Sequence, residues 1–152
     1  MPKLTIYLSG PIDHCNEDEI HGWRENVKKA LPRCEWRDPN DREYDMTNPT
    51  SYIPLVEYDK QDIDESNLVL VYPWKHGVGT PMECMYAWDR NKYILVVSDN
   101  EQISPWWRYH STKIVPNFEE AYKVINYLIE EPDFEEYGYD VDRAELEGDD
   151  DL

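Results

Sequence analysis

The sequence predicts an α/β fold in which a five-stranded, mainly parallel sheet is covered by helices on both faces, a three-layer sandwich. Strand-like and helical segments alternate along the chain. The run from Leu68 to Tyr72, Leu-Val-Leu-Val-Tyr, is continuously apolar, as expected of a central parallel strand buried on both faces. The 152 residues are 40% hydrophobic and 13% aromatic, with six Trp and twelve Tyr, enough material for one packed domain.

The first strand is expected over Leu4 to Leu8, closed by the turn Ser9-Gly10-Pro11. A helix follows from Glu17 to Leu31, with Ile20, Trp23, Val27 and Leu31 at helical spacing and Pro32 as the stop. A short strand near Cys34 to Arg37 leads into a polar loop, Asp38 to Ser51, long enough to be functional. Next come a helix from Tyr52 to Ser66, the strand from Leu68 to Tyr72, a glycine loop and a helix from Pro81 to Arg90. Tyr93 to Val97 and Ile114 to Val115 supply the last strands, and Phe118 to Leu128 the closing helix.

With 33 acidic and 15 basic residues, the net charge of -18 repels phosphate backbones and anionic membranes, so neither a nucleic acid polymer nor a membrane is an expected partner. Part of the acidity is concentrated at the end, which divides the chain into a folded body, 1–130, and an acidic tail, 131–152. Cys15, Cys34 and Cys84 form no CxxC pair and leave one over, which fits a reducing compartment; His14, His21, His76 and His110 share no metal-ligand spacing with them. With no long apolar stretch, the protein is expected to be cytoplasmic.

Ligands of open α/β sheets sit beyond the carboxyl ends of the strands, so the loops after the first strand and after Tyr72 are where chemistry is sought. Glu83, in Gly79-Thr80-Pro81-Met82-Glu83, has a plain structural reading as the N3 member of a capping box with Thr80 as N-cap and Pro81 at N1. The same placement would let the helix dipole hold an ionised carboxylate ready to attack a sugar carbon. Asp59 falls on the helix face of Val56 and Ile63, where burial would equip it as a proton donor, or is solvated beside Lys60. Two carboxylates with split roles suit glycosyl transfer with retention. Tyr7 at the strand end could orient a carboxylate or fill the core. Trp74, Trp106 and Trp107, expected in loops, could stack on a base or form an interface.

The ordered set Ile6-Tyr7-Leu8-Ser9-Gly10-Pro11-Ile12, then Asp59 through Val71, then Gly79-Thr80-Pro81-Met82-Glu83 with Met85-Tyr86-Ala87, resembles the nucleoside 2-deoxyribosyltransferase family. The resemblance implies a flavodoxin-like, Rossmann-related fold and a double displacement without metal or other cofactor. Glu83 then looks like the nucleophile that takes C1' of deoxyribose, Asp59 like the acid/base at the departing nucleobase, and Tyr7 like the residue holding the nucleophile. Ser9, Gly10, Pro11, Asp13, Gly77, Gly79 and Met82 are the implied substrate contacts, with deoxynucleosides and nucleobases as substrates and a homodimer or higher homo-oligomer as the assembly. A sister branch of deoxynucleoside 5'-monophosphate N-glycosidases carries serine and arginine phosphate contacts where this chain has Pro11, Asp13 and Gly77. Losing those donors and gaining a carboxylate favours nucleosides over nucleotides. Transfer is therefore the expected activity, with hydrolysis of a deoxynucleotide or modified nucleoside as the alternative and a non-catalytic nucleotide sensor as the reading from another class.

Overall fold

The computed structural model describes residues 3–131; the expected acidic tail lies outside the described residues from 132 onward. Five strands, β1 (Thr5–Ser9), β2 (Glu35–Arg37), β3 (Leu68–Val71), β4 (Tyr93–Val97) and β5 (Lys113–Val115), form one sheet in the order β2-β1-β3-β4-β5. All pairings are parallel, with Ile6 opposite Leu68 and Val69 opposite Ile94. This is the flavodoxin-like order.

Alternation along the strands feeds two cores. Ile6, Leu8, Leu68, Leu70, Leu95 and Val97 face helices α1 (Glu17–Ala30) and α5 (Phe118–Glu130), which contribute Trp23, Val27, Ala121, Ile125 and Leu128. Tyr7, Val69, Val71, Ile94 and Val96 face α2 (Tyr52–Asp64) and α3 (Gly79–Asp89), which contribute Ile63, Cys84 and Ala87. Each fully buried aliphatic side chain contributes roughly 1.5–3 kcal/mol, whereas an exposed ion pair contributes about 1 at most, so these two faces carry the fold.

Local chemistry explains most element ends. Asn16 accepts from the Glu19 amide while the Glu19 carboxylate accepts from that of Asn16, a complete capping box opening α1, whereas Asn117 caps α5 one-sidedly, its side chain accepting from the Glu120 amide. A 3-10 turn, Pro39–Asp41, interrupts the loop after β2. Two boundaries differ from expectation. A further helix, α4 (Pro105–His110), occupies the segment expected to be a loop and carries Trp106 and Trp107; Ser104 caps it and Pro105 opens it. And α3 begins at Gly79 with Val78 at the N-cap position and no side-chain cap. Thr80 is inside the helix and buried, so the capping box expected for Thr80 and Glu83 does not form.

The strand order reverses between β1 and β3. The β1–α1 loop therefore leaves toward one face of the sheet and the β3–α3 loop toward the other, opening a crevice at their carboxyl ends. Lys75 spans it, its ammonium donating to the His14 carbonyl at 2.7 Å. Among the described residues, no helix is long and apolar enough to cross a membrane.

Candidate active site

Three elements meet at that crevice. From β1, the pleat directs Tyr7 and Ser9 to the α2–α3 side and sends Gly10 toward α1. Gly10 has no room for a side chain, since a Cβ there would stand 2.7 Å from the Trp23 ring and 3.3 Å from the Tyr72 carbonyl. From α3, Glu83 reaches back to β1: the Ser9 hydroxyl donates to its Oε2 at 3.2 Å. From α2, Asp59 is half-buried and presents a buried Oδ1 that meets no hydrogen-bond partner.

Tyr7 has no accessible surface and lies in the core, yet its hydroxyl is no ordinary core atom. It leans on Glu83 without a well-aligned hydrogen bond. Burial and then the negative charges of Glu83 and Asp59 push its pKa far up, so it stays a neutral donor. The sequence left open whether Tyr7 fills the core or orients a carboxylate; its ring fills the core, and its hydroxyl lies within reach of the Glu83 charge.

The electrostatics of the carboxylates differs from the dipole argument. Burial pushes Glu83 up to about 8, against the neighbouring Tyr7 hydroxyl, the hydrogen bond from Ser9 and the positive charge of Arg24. Asp59 is pushed up to about 6 by burial first and then by the charge of Asp62, against Arg42. Desolvation thus outweighs the helix terminus at Glu83, which sits beyond the first turn of a helix starting at Gly79, where the dipole has faded. Asp59 does face inward, but not with Val56, which is 44% exposed; its buried neighbours on α2 are Asp62 and Ile63.

Of the residues expected at the substrate, Ser9 and Gly10 belong to this cluster, Pro11 is buried beside it, and Gly79 opens the helix that carries Glu83. Asp13 and Gly77 are exposed on the two loops that flank the crevice, and Met82 is exposed on α3. Gly77 and Gly79 have ordinary backbone conformations with nothing crowding them closely, so neither position requires glycine.

No family model matches the chain, and no curated protein matches it in sequence. Solved structures do resemble it. A conserved protein from Enterococcus faecalis superposes with a TM-score of 0.65 at 11% identity, covering 83% of this chain and 99% of its own. A 2-deoxyribosyltransferase from Bacillus psychrosaccharolyticus gives 0.63 at 15% identity, over 78% of this chain and 90% of its own. A CMP N-glycosidase from Clostridium botulinum gives 0.56 at 18% identity, over 81% and 98%. At these identities the likeness is one of fold.

A cavity of about 490 Å³ opens next to the carboxylates, beyond β3, β4 and β5. It shares Gly77, Thr80 and Pro81 with the β3–α3 segment and is walled by Trp74, Trp107 and Phe118, but none of Tyr7, Asp59 and Glu83 lines it. The cavity and the carboxylate cluster are thus separate features that meet along the β3–α3 segment. Trp106 points elsewhere, 73% exposed and stacked on His110.

Several residues around the site are absent from the sequence reading. Arg24, fully buried on α1, donates to the carbonyls of Ile20 and Gly10, the latter at 3.0 Å, and lies 3.7 Å from buried Asp38, which Lys28 also binds at 2.9 Å. Its position one turn from Ile20 and next to Trp23 on the apolar stripe was the available signal. Arg42 grips Asp62 with two hydrogen bonds, 2.8 and 3.2 Å, pinning the loop after β2 onto α2. Nothing local in the sequence announces that contact. Among the described residues, no three His, Cys, Asp or Glu side chains are grouped to hold a metal ion.

Proposed function

We propose that the protein cleaves the N-glycosidic bond of 2'-deoxynucleosides and transfers the deoxyribosyl group to another nucleobase. What carries this reading is Glu83, tied to Ser9 by a hydrogen bond at the strand-order reversal, with Tyr7 from β1 and the part-buried Asp59 from α2 near enough for their charges to act on one another. The fold shared with a 2-deoxyribosyltransferase supports it.

Burial lifts both carboxyls, so near neutral pH the pair as a unit holds about one proton. The productive arrangement has that proton on Asp59 and a charge on Glu83. Glu83 is raised further than Asp59, so at rest the proton sits mainly on Glu83 and the productive arrangement is the minor one; the Tyr7 hydroxyl, the Ser9 hydrogen bond and the charge of Arg24 lessen its cost. A Glu83 oxygen attacks C1' as the C1'–N bond breaks, and Asp59 gives its proton to the departing nitrogen. A second base then attacks C1' through nitrogen, returns its proton to Asp59 and frees Glu83, so the configuration at C1' is retained.

The second reading is hydrolysis, in which water takes the place of the second base; the shared fold with a CMP N-glycosidase favours it. Phosphorylated substrates fit less well, because exposed Asp13 places a carboxylate on the β1–α1 loop. Pure protein incubated with deoxyinosine and adenine decides between them. Deoxyadenosine supports transfer, hypoxanthine with free deoxyribose supports hydrolysis, and no cleavage of either deoxyinosine or its 5'-monophosphate removes the proposal.

A further inference from the structure

The cavity beyond β3, β4 and β5 is not used by the carboxylate chemistry, and its walls are selective. Its aromatic sides are anchored in both cores: Trp107 packs against the core under α2 and α3, Tyr72 and Phe118 against the core under α1 and α5, where their rings meet edge-on at 4.9 Å. Trp74 stands exposed on the β3–α3 segment. Rigid flat walls around about 490 Å³ suit a planar ring better than a flexible chain.

The polar groups of the lining are biased toward donors. The side-chain oxygen of Asn117 accepts from the Glu120 amide at 2.9 Å, and that of Asn100 from the Gln102 amide at 3.0 Å. An asparagine whose oxygen is so occupied offers its NH2 group. The hydroxyl oxygens of Ser98 and Ser104 likewise accept, each at 3.2 Å, from the amides of Asn100 and Trp106, which leaves their protons to donate. Against these four stands one carboxylate, Asp99, and the Lys75 ammonium is already held by the His14 carbonyl. Such a lining does not select an anion. It matches a neutral flat ring that carries carbonyl oxygens for the donors and a ring N–H for Asp99.

We propose that this cavity is a second ligand site, separate from the carboxylate centre, which holds a flat oxo-heterocycle of the oxopurine or oxopyrimidine class on its aromatic walls, with Asn117 bonded to a ring carbonyl. The site takes no part in bond cleavage and does not depend on the glycosidic reading above.

Asn117→Asp tests this, because aspartate caps a helix as well as asparagine does while the free donor becomes an acceptor; the melting temperature should stay where it is. By calorimetry, hypoxanthine should bind the wild type more tightly than adenine, whose exocyclic group is a donor. In Asn117→Asp, hypoxanthine should weaken about tenfold, the worth of one hydrogen bond, and adenine should lose nothing. Trp74→Ala removes an exposed wall and should weaken both bases by about five- to a hundredfold, the span for one base stacked on an aromatic ring. Asp59→Asn should leave both affinities unchanged. Equal hypoxanthine binding by the wild type, Asn117→Asp and Trp74→Ala overturns the proposal, as does a wild type that binds neither base or an equal loss of both bases in Asn117→Asp. A loss in Asp59→Asn as large as that in Trp74→Ala also overturns it, since it puts the base at the carboxylates. Cleavage of deoxyinosine is read separately: cleavage without the Asn117 and Trp74 pattern leaves the glycosidic reading standing and removes the second site, and the pattern without cleavage does the reverse.

Discussion

The Ser9 hydroxyl donates to Glu83 Oε2 at 3.2 Å, joining the last residue of the first strand to a helix that begins seventy residues later in the chain at Gly79. That bond replaces the local cap that the motif Thr80-Pro81-Met82-Glu83 suggests, and it turns Glu83 from a helix-end residue into a member of the β1 cluster. Glu83→Gln should therefore lower turnover of deoxynucleosides by several orders of magnitude without weakening α3, which has no side-chain cap to lose. The stability effect has a sign. The carboxyl is raised from 4.5 to about 8 on folding, so the native state holds the proton more tightly. Its stabilisation is complete below pH 4.5 and is lost as pH rises through 8. Thermal melts should show Glu83→Gln little changed at pH 5 and more stable than the wild type at pH 8. A variant that melts lower at every pH and keeps its activity would restore the capping role.

Tyr7→Phe separates packing from chemistry. The ring is fully buried and would remain, while the hydroxyl without a well-made hydrogen bond would go, so melting should be unchanged or higher. If the hydroxyl steadies the charge on Glu83, kcat should fall by roughly 100- to 1000-fold, the usual span for one preorganised donor. Steady-state kinetics beside a melting curve checks both halves; unaltered kcat would assign Tyr7 to the core alone.

What the sequence made legible followed periodicity. Five strands, most of the helices between them and the buried Tyr7 ring come from the spacing of apolar residues, which burial against a sheet enforces, whereas half of the spacing argument for Asp59 fails at exposed Val56. Thr-Pro-x-Glu satisfies a local capping rule, but Thr80 is buried and α3 starts one residue before it, at Gly79. The six-residue α4 is too short for a period, and only Ser104-Pro105 marks it. Arg24 escaped because a cation beside Trp23 on an apolar stripe reads as its solvated margin. The Arg42–Asp62 clamp joins residues 20 apart across a loop, and no local pattern encodes such a pairing.

The coupled carboxyls also set a pH profile. The proposed reaction needs one proton on the pair, with both groups displaced upward, Asp59 to about 6 and Glu83 to about 8. Below the lower value the pair is doubly protonated and lacks a nucleophile, and above the upper value it lacks an acid. kcat/KM for a deoxynucleoside should be bell-shaped with limbs near those values, the limbs belonging to the pair as a unit. A profile flat from pH 5 to 9 would remove the two-carboxylate mechanism.

Arg24 provides the last test, because its charge and its hydrogen bonds act on different observables. It is fully buried, supports the Gly10 carbonyl immediately after Ser9, and acts through its charge to lower the Glu83 pKa. In Arg24→Met the apolar chain keeps most of the packing and Asp38 keeps Lys28 as a partner, so the loss should fall below the 3–5 kcal/mol of a stranded buried charge, at about 2 kcal/mol by denaturant titration. Removing the positive charge should also raise the Glu83 pKa further, moving the profile to higher pH and lowering the rate at pH 7. Arg24→Lys should keep most of the charge effect but lose support of the Gly10 carbonyl, leaving the profile in place with a lower maximum. If both variants lose stability and neither profile moves, Arg24 is a packing residue, and the charge on Glu83 is governed by Ser9 and Tyr7 alone.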